Sequence, residues 1–370
     1  MAPALLTRAD HLLVEASRAL EPMLRVLAEV EHGLFAARLE RQPIEAPVFV
    51  AGLARAGTTM VLALLAQAAG VATHRYRDFP FLFVPIAWNW FQDRIGAGAG
   101  PARERAHRDR IRITRESAEA FEEPLWQSFF RSAHDPAACH VLGAQTRHAA
   151  FEECFRSHLR KILWLRGGRR YVSKGNYNVA RIGYLARLFP DARFVVPVRD
   201  PLEQVRSLAA QHERFCRYAA EDARVPRYLA AAGHYEFGPQ RRPLNLDPAR
   251  VGEIEAAWRA GQEYRGYARQ WAQVYAHVER LRQDPALRER ILVVRYEDAC
   301  ARPGDTCRRL LEFCRLEDAG GAVAAAAAAL SAPAPREPVG RDAAAAVRAE
   351  AAATAVRYGY CARVGTSRGS

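Results

Sequence analysis

The feature that most constrains this chain is a glycine-framed turn, residues 52–59, between an apolar segment and a segment of helical character. Residues 48–52 read Val-Phe-Val-Ala-Gly, which predicts a short, fully buried strand. Gly52 and Gly57 stand five positions apart, and Thr58 and Thr59 open the next helix. In such a strand–loop–helix unit the backbone N–H groups of the turn and of the helix N-terminus point inward and bind anionic phosphate. The sequence therefore predicts a phosphate-binding loop.

This loop differs from that of a nucleoside triphosphatase in the position of its cation. Thr58 stands where such an enzyme carries lysine, and the cation is Arg55, inside the turn. Without that lysine the loop is poorly equipped for γ-phosphoryl transfer, and no strand end offers a clear aspartate for Mg²⁺. The hydroxyl groups of Thr58 and Thr59 can still donate hydrogen bonds to a 5′-phosphate. A P-loop kinase or nucleotide hydrolase with a displaced cation stays open as an alternative.

Short apolar segments alternate with helical segments along much of the chain. Further strands are predicted at residues 170–173, 193–198 and 291–296. Helices are predicted at residues 8–40 (one or two), 58–69, 103–119, 179–189, 202–215, 253–283 and 305–314. This alternation predicts an α/β fold with a mostly parallel central sheet flanked by helices, and ligands of such sheets bind at the carboxyl ends of the strands. We expect a helical extension over residues 1–46, an α/β domain over 47–316 and an Ala-rich helical segment or tail over 317–370.

Two further strand ends carry polar residues suited to a nucleotide. The strand at 193–198 ends in Arg199, and Ser207 follows eight residues later on the next helix. An arginine at a strand end and a serine two turns along a helix can converge on a second phosphate. The strand at 291–296 ends in Tyr296-Glu297-Asp298, with Pro303 close behind.

Together these motifs resemble the sulfotransferases that use 3′-phosphoadenosine 5′-phosphosulfate (PAPS). In that family a loop of the form [RK]-x-G-T-T holds the 5′-phosphosulfate, and an Arg with a Ser eight residues on binds the 3′-phosphate. The matching loop residues here are Arg55-Ala56-Gly57-Thr58-Thr59. Arg199, Ser207 and Tyr296 match the family's other landmarks. The resemblance covers about residues 47–316 and is closest to the bacterial and carbohydrate or tyrosyl-protein branches, whose loop reads R-S-G-T-T.

The resemblance implies a P-loop-like sulfotransferase architecture and in-line transfer of a sulfuryl group from PAPS to an acceptor hydroxyl. Such a site needs cations at the leaving oxygen and a base at the attacking hydroxyl. Arg55 and the strand-terminal Lys174 are the candidate cations. No loop like the family's late R-K-G-x-x-G follows residue 316, so the lid over the donor is not assigned.

The general base is where the sequence departs from the family. Cytosolic relatives carry a histidine two residues after the strand-terminal lysine, but Asn176 stands there and cannot accept a proton. Other branches use a carboxylate about twenty residues past the loop arginine, and the nearest one here is Asp78. Asp78 is therefore the first candidate for the base. The reserve candidates are Glu122, Glu123 and His212. A nucleotide-binding relative that has lost its base stays open as a second alternative.

Composition limits the partners. The chain carries a net charge of +13, but no run of Lys and Arg interleaved with aromatics indicates a nucleic-acid surface. Seven cysteines without a C-x-x-C pair indicate neither a disulfide framework nor a metal site. We expect no signal peptide, no membrane span and a cytoplasmic location. The apolar segment 79–91 suggests a small-molecule, glycan or lipid acceptor, while the oligomeric state is open.

Overall fold

A computed structural model describes residues 7–98, 100–109, 111–328 and 338–360 of the protein. Its seven strands are β1 (Val48–Ala51), β2 (Val71–Ala72), β3 (Arg103–Glu104), β4 (Arg112–Ile113), β5 (Arg170–Gly175), β6 (Arg193–Val198) and β7 (Ile291–Arg295). Five of them form one parallel sheet in the order β2-β5-β1-β6-β7, while β3 and β4 form a separate antiparallel pair. The parallel sheet confirms the predicted α/β class.

Fifteen α-helices surround the sheet in the described part of the chain. They are α1 (Arg8–Ala19), α2 (Glu21–Leu39), α3 (Thr58–Leu65), α4 (Pro85–Arg94), α5 (Glu123–Phe129), α6 (Ala149–Arg166), α7 (Ile182–Leu188), α8 (Pro201–Glu221), α9 (Arg224–Ala232), α10 (Pro248–Arg259), α11 (Glu263–Gln283), α12 (Tyr296–Ala301), α13 (Pro303–Cys314), α14 (Ala322–Ala328) and α15 (Arg341–Ala355). None of the helices that the structure describes is long and apolar enough to cross a bilayer.

The central strand β1 shows why the sheet is buried on both faces. Its side chains alternate with the strand period of two. Val48 and Val50 pack into one apolar cluster with residues of α3 and α13, while Phe49 and Ala51 pack into another with residues of α6, α7 and α11. Because both faces are covered by helices, all four residues are apolar and fully buried.

The register of the strands brings their carboxyl ends to one edge. Val50 of β1 pairs with Lys174 of β5 on one side and with Val195 of β6 on the other. The loop after β1, the end of β5 and the residue after β6 therefore meet at this edge. The predicted nucleotide residues lie on these three segments and at the end of β7.

Two helix predictions were wrong in detail. The described residues of segment 103–119 form the β3–β4 hairpin and turns instead of a surface helix, because the charged side chains of Arg105 and Glu119 are buried. Residues 253–283 form two helices, α10 and α11, since Gly261 adopts a left-handed conformation (φ +71°) that ends the first.

The Ala-rich C-terminal part includes a packed helix. Helix α15 lies against α11 and α8, and Ala351 is fully buried there. Glu350 adds ion pairs with Arg265 and Arg269. Residues 329–337 and 361–370 lie outside the described part of the chain. The division at residues 46 and 316 stays a prediction.

Candidate functional site

The predicted phosphate-binding loop connects β1 to α3 and contains two residues in the left-handed region. Arg55 has φ +69° and Gly57 has φ +103°. A Cβ atom at Gly57 would lie 2.8 Å from a ring carbon of Tyr296, so this position requires glycine. Left-handed backbone costs a non-glycine residue such as Arg55 about 1–3 kcal/mol. The surrounding structure therefore has to offset this cost at Arg55.

The start of α3 meets the end of β5. Thr58 is buried at the first position of α3, where backbone N–H groups are free of intrahelical partners. Lys174 Nζ donates to Thr59 Oγ1 at 2.9 Å and to Glu119 Oε1 at 2.6 Å. A cation, two hydroxyls and a helix N-terminus therefore face the same place, which is the arrangement that binds an anion.

Arg55 connects the loop to the second group of residues that the sequence predicts to bind the nucleotide. Its Nε donates to Ser207 Oγ at 3.1 Å, although the two residues are 152 positions apart. Burial lowers the pKa of the Arg55 guanidinium, and Arg105 and Arg199 lower it further by repulsion, whereas Asp109 raises it. The three arginines are thus close neighbours, and the structure brings Arg55, Ser207 and Arg199 together.

Arg199 is held by the start of α8. Pro201 and the Asp200 side chain begin this helix, with Asp200 Oδ1 accepting from the N–H groups of Leu202 and Glu203. The Arg199 guanidinium lies 4.5 Å from the Tyr296 ring centroid, and its nearest carboxylate oxygen, on Glu203, is 3.7 Å away. Its buried Nε makes no hydrogen bond to the described residues. Arg199 therefore keeps donor capacity for an anion.

The β3–β4 hairpin supplies acidic side chains to this cationic region. Asp109 accepts from Arg55 at 2.8 Å and from Arg105 at 2.5–3.1 Å. Just past the hairpin, Glu119 accepts from Lys174 and from the Tyr76 hydroxyl at 2.6 Å each. Burial alone would raise the pKa of both carboxyls, but the neighbouring cations hold both well below their usual range. Asp109 and Glu119 are therefore ionised and neutralise the cations.

A cavity of about 770 Å³ opens beside the loop. Arg55, Thr58, Thr59 and Lys174 line one part of it, and Arg199 and Ser207 do not line it. Aromatic side chains line much of the rest: Tyr76, Phe79, Trp88, Phe121, Phe215, Tyr218, Tyr228 and Phe237. Its volume is in the range of small-molecule sites. The predicted apolar segment 79–91 thus contributes Phe79 and Trp88 to the cavity, while Trp90 is exposed.

The family model for the sulfotransferase family matches residues 47–255. This chain belongs to the sulfotransferase family. Among solved structures it is similar to the sulfotransferase STF9 from Mycobacterium avium, with a TM-score of 0.51, 16% identity and coverage of 89% of this chain and 80% of that one. It is also similar to the sulfotransferase STF1 from Mycobacterium tuberculosis H37Rv, with a TM-score of 0.45, 15% identity and coverage of 89% and 82%. The likeness to STF9 supports the fold. No curated protein sequence matches the chain.

Asp78 of this chain does not line the cavity beside the loop. The Asp78 carboxylate is fully buried and accepts from Arg166 at 2.5 Å, from Asn89 at 2.9 Å and from the backbone N–H of Arg75 at 2.8 Å. Burial alone would raise the pKa of Asp78, but His74 and Arg166 lower it below its usual range. These contacts suit a structural acceptor, so the prediction that Asp78 is the general base has no support in this geometry.

The reserve candidates also lie outside the large cavity. Glu122 accepts from the Tyr171 hydroxyl at 2.6 Å and is buried, which raises its pKa. Glu123 accepts from both Arg181 nitrogens at 2.7 Å and pairs with His134. His212 accepts from the N–H of Gly238 at 3.2 Å. Each is already engaged in holding the structure of the sulfotransferase.

Several residues of the site were not found from the sequence. Arg105 and Glu119 line the cavity beside the loop, and so do His107 and His234. Glu236, which accepts from Asn176 Nδ2 at 2.6 Å, is a further residue of this kind. No local motif marks these residues, because long-range packing brings them to the loop. Within the described residues no group of three or more His, Cys, Asp or Glu side chains is placed to hold a metal ion.

Proposed function

We propose that this sulfotransferase transfers a sulfuryl group from PAPS to an acceptor hydroxyl. The observation that carries the proposal is the contact between Arg55 and Ser207, which joins two anion-binding groups into one clamp. Residues 55–59 and Lys174 form the first group and would hold the 5′-phosphosulfate. Arg199 and Ser207 form the second and would hold the 3′-phosphate, with Tyr296 packed between the loop and Arg199.

The second anion group supports PAPS over ATP. A buried arginine with free donor capacity is costly without an anion, and each charge-assisted hydrogen bond contributes about 1.5–3 kcal/mol. A 3′-phosphate satisfies Arg199, whereas ATP has only a hydroxyl at that position. In addition, Thr58 stands where γ-phosphoryl transfer requires a lysine. No feature of the described residues favours a kinase.

The proposed reaction is an in-line displacement at sulfur. The acceptor oxygen forms a bond to sulfur as the bond between sulfur and the 5′-phosphate oxygen breaks, so adenosine 3′,5′-bisphosphate leaves with the bonding electron pair. Negative charge grows on the departing oxygen, where Lys174 and Arg55 would stabilise it. Both side chains are nearly buried, and low solvent exposure strengthens such stabilisation.

The cavity walls indicate the kind of acceptor. Phe79 and Phe121 stack with ring centroids 5.1 Å apart, and Tyr228 packs edge-on against Phe79 at 5.7 Å. Flat aromatic walls bind flat or apolar surfaces. Among small-molecule, glycan and lipid hydroxyls, these walls favour an acceptor with an aromatic or apolar body.

Calorimetric titration of the full chain with adenosine 3′,5′-bisphosphate and with ATP·Mg²⁺ tests the donor assignment. We expect the bisphosphate to bind at least tenfold more tightly, and tighter binding of ATP·Mg²⁺ would refute the proposal. Turnover of labelled PAPS against a panel of hydroxylated acceptors then tests catalysis. Tight bisphosphate binding without turnover of any acceptor would instead support the non-catalytic relative.

A further inference from the structure

His234 is fixed at the cavity by the end of helix α9. Gly233 ends that helix in the left-handed conformation (φ +77°), and the N–H of His234 donates back to Leu229 O at 2.8 Å. A Cβ atom at residue 233 would lie 2.2 Å from Glu123 Cγ, so only glycine allows α5 to pack this closely. His234 thereby lines the large cavity, with 27% of its side chain exposed.

A buried carboxylate lies behind the His234 ring. Glu236 Oε2 is 3.4 Å from His234 Nδ1, and Glu236 Oε1 accepts from Asn176 Nδ2 at 2.6 Å. The segment is held further because Tyr177 Oη accepts from the N–H of Tyr235 and Tyr267 Oη donates to Glu236 O, both at 3.0 Å. Nδ1 therefore lies within ion-pair distance of the carboxylate, whose Oε2 has no hydrogen-bond partner among the described residues, and Nε2 is the other nitrogen of the ring.

The charged groups around His234 come from three further elements. Lys174, at the end of β5, disfavours the protonated form of His234, whereas Glu119, after the hairpin, and Glu236 favour it. His107, on the hairpin, is a further titratable neighbour. Burial alone would lower the pKa of His234, but Glu236 and Glu119 together raise it, so this pKa lies above the ordinary value of histidine. Because Lys174 is proposed to lie at the leaving oxygen, its neighbour His234 is expected to lie beside the sulfuryl group.

Glu119 and His107, the titratable neighbours of His234 at the cavity, are less suitable bases. Both oxygens of Glu119 already accept hydrogen bonds at 2.6 Å, and its pKa lies well below the usual range. His107 contacts Gln211 Oε1 at 3.1 Å instead of a carboxylate. Burial, with repulsion from Arg105 and Arg55, lowers its pKa well below the usual range of histidine. A base is most effective when its pKa is near the working pH.

We propose that His234 is the general base of the transfer and that Glu236 is its positioning residue. The inference depends on the proposed function. As the acceptor oxygen bonds to sulfur, the proton of the hydroxyl moves to His234 Nε2, and the Glu236 carboxylate stabilises the imidazolium through Nδ1–H. Asn176, at the position where cytosolic relatives carry a histidine, would thus contribute by orienting Glu236.

Single-turnover transfer from labelled PAPS to 2-naphthol and to the more acidic 4-nitrophenol tests the proposal. His234→Gln is expected to slow transfer to 2-naphthol by about 10²–10⁴-fold. Transfer to 4-nitrophenol at pH 8 should fall much less, because that acceptor is already largely ionised. Adenosine 3′,5′-bisphosphate should bind the variant within about threefold of wild type. If the wild type does not bind adenosine 3′,5′-bisphosphate, the proposed function itself is refuted, and not this inference alone.

Glu236→Gln tests the positioning role through the pH profile. Since a raised pKa makes His234 lose its proton only at higher pH, activity should fall as the pH decreases through that pKa. Removing the carboxylate lowers the pKa, so the acidic limb should move to lower pH. His212→Gln, outside the cavity, is the matched control and should leave the limb in place.

NMR titration of the ring of His234 in histidine-labelled protein bound to adenosine 3′,5′-bisphosphate gives a readout that needs no acceptor. If Glu236→Gln lowers the pKa of His234, the proposal is supported. A pKa that Glu236→Gln leaves unchanged would overturn the positioning role. The base assignment would be overturned if His234→Gln left transfer to 2-naphthol unchanged. It would also be overturned if the acidic limb of the pH profile were lost in His107→Gln instead.

Discussion

The Asp109 carboxylate pairs with Arg55, the cation that the donor is proposed to bind. Removing the negative charge of Asp109 should therefore strengthen donor binding. The Asp109 carboxylate accepts from Arg55 Nη1 at 2.8 Å, with both side chains less than 15% exposed, so solvent screens the pair little. For an anionic donor to reach Arg55, this bond must break or be shared. Asp109 also faces Arg105, which retains a 3.7 Å contact with Glu119 if Asp109 is neutralised.

The magnitude follows from the two kinds of hydrogen bond. A charge-assisted bond contributes about 1.5–3 kcal/mol and a neutral one about 0.5–1.5 kcal/mol. Asp109→Asn keeps the shape of the side chain but lowers the cost of freeing Arg55 by about 1–1.5 kcal/mol, which is roughly five- to thirteenfold in Kd. The charge change also removes repulsion of the donor.

Calorimetric titration with adenosine 3′,5′-bisphosphate at fixed, low ionic strength measures the effect, because salt would screen it. Asp222→Asn is the matched control, since it neutralises an aspartate that pairs with Arg224 at 2.7 Å on the surface. The control should bind the bisphosphate like wild type. If Asp109→Asn binds it equally or more weakly, Asp109 does not compete with the donor and the reasoning is wrong.

Three further predictions concern the clamp and the buried ion pair. Arg199→Ala should weaken adenosine 3′,5′-bisphosphate by about 10–150-fold (about 1.5–3 kcal/mol) and AMP by much less, as measured by calorimetry; equal weakening would show that Arg199 does not bind the 3′-phosphate. Lys174→Ala should lower kcat by about 10²–10³-fold in a labelled-PAPS assay because it removes a cation at the leaving oxygen, and an unchanged kcat would exclude that role. Asp78→Asn leaves Arg166 buried without its charge partner and should lower the free energy of unfolding by about 3–5 kcal/mol in a denaturant titration at pH 7, with bisphosphate affinity retained. Because the pKa of Asp78 is lowered on folding, its stabilisation is present above about pH 4 and is lost as the pH falls, so the difference between variant and wild type should shrink in acid.

The arrangement of the proposed donor residues could be predicted from the sequence, because its signals are local. Gly52, Gly57 and Thr58 are adjacent to a strand and a helix that periodicity identifies, and Ser207 lies at a fixed helical distance from Arg199. Parallel pairing of the strands then brings these segments to one edge without further information. The fold class followed from the same alternation of strands and helices.

The acceptor side was not predictable, because its residues meet only through packing. The charged residues 103–119 have good intrinsic helix propensity, which led to the wrong helix prediction. Arg105, Asp109 and Glu119 instead face buried partners, and those contacts outweigh local preference. Asp78 was chosen by its distance in sequence from Arg55, but its carboxylate is paired with Arg166, whose approach no short-range pattern encodes.

The two carboxylates of the hairpin region explain how the buried cations can lie close together. Arg55 and Lys174 are the cations proposed for the sulfuryl end of the donor, and each pairs with one carboxylate, Asp109 and Glu119 respectively. Buried cations without partners would destabilise the fold, because desolvation of a charge is costly. The carboxylates therefore act as internal counterions at the positions that donor anions are proposed to take. Because Asp109 lies on the hairpin and Glu119 just past it, donor binding and the position of this segment are coupled: an anion that takes over Arg55 and Lys174 removes two of the contacts that hold the segment over the loop.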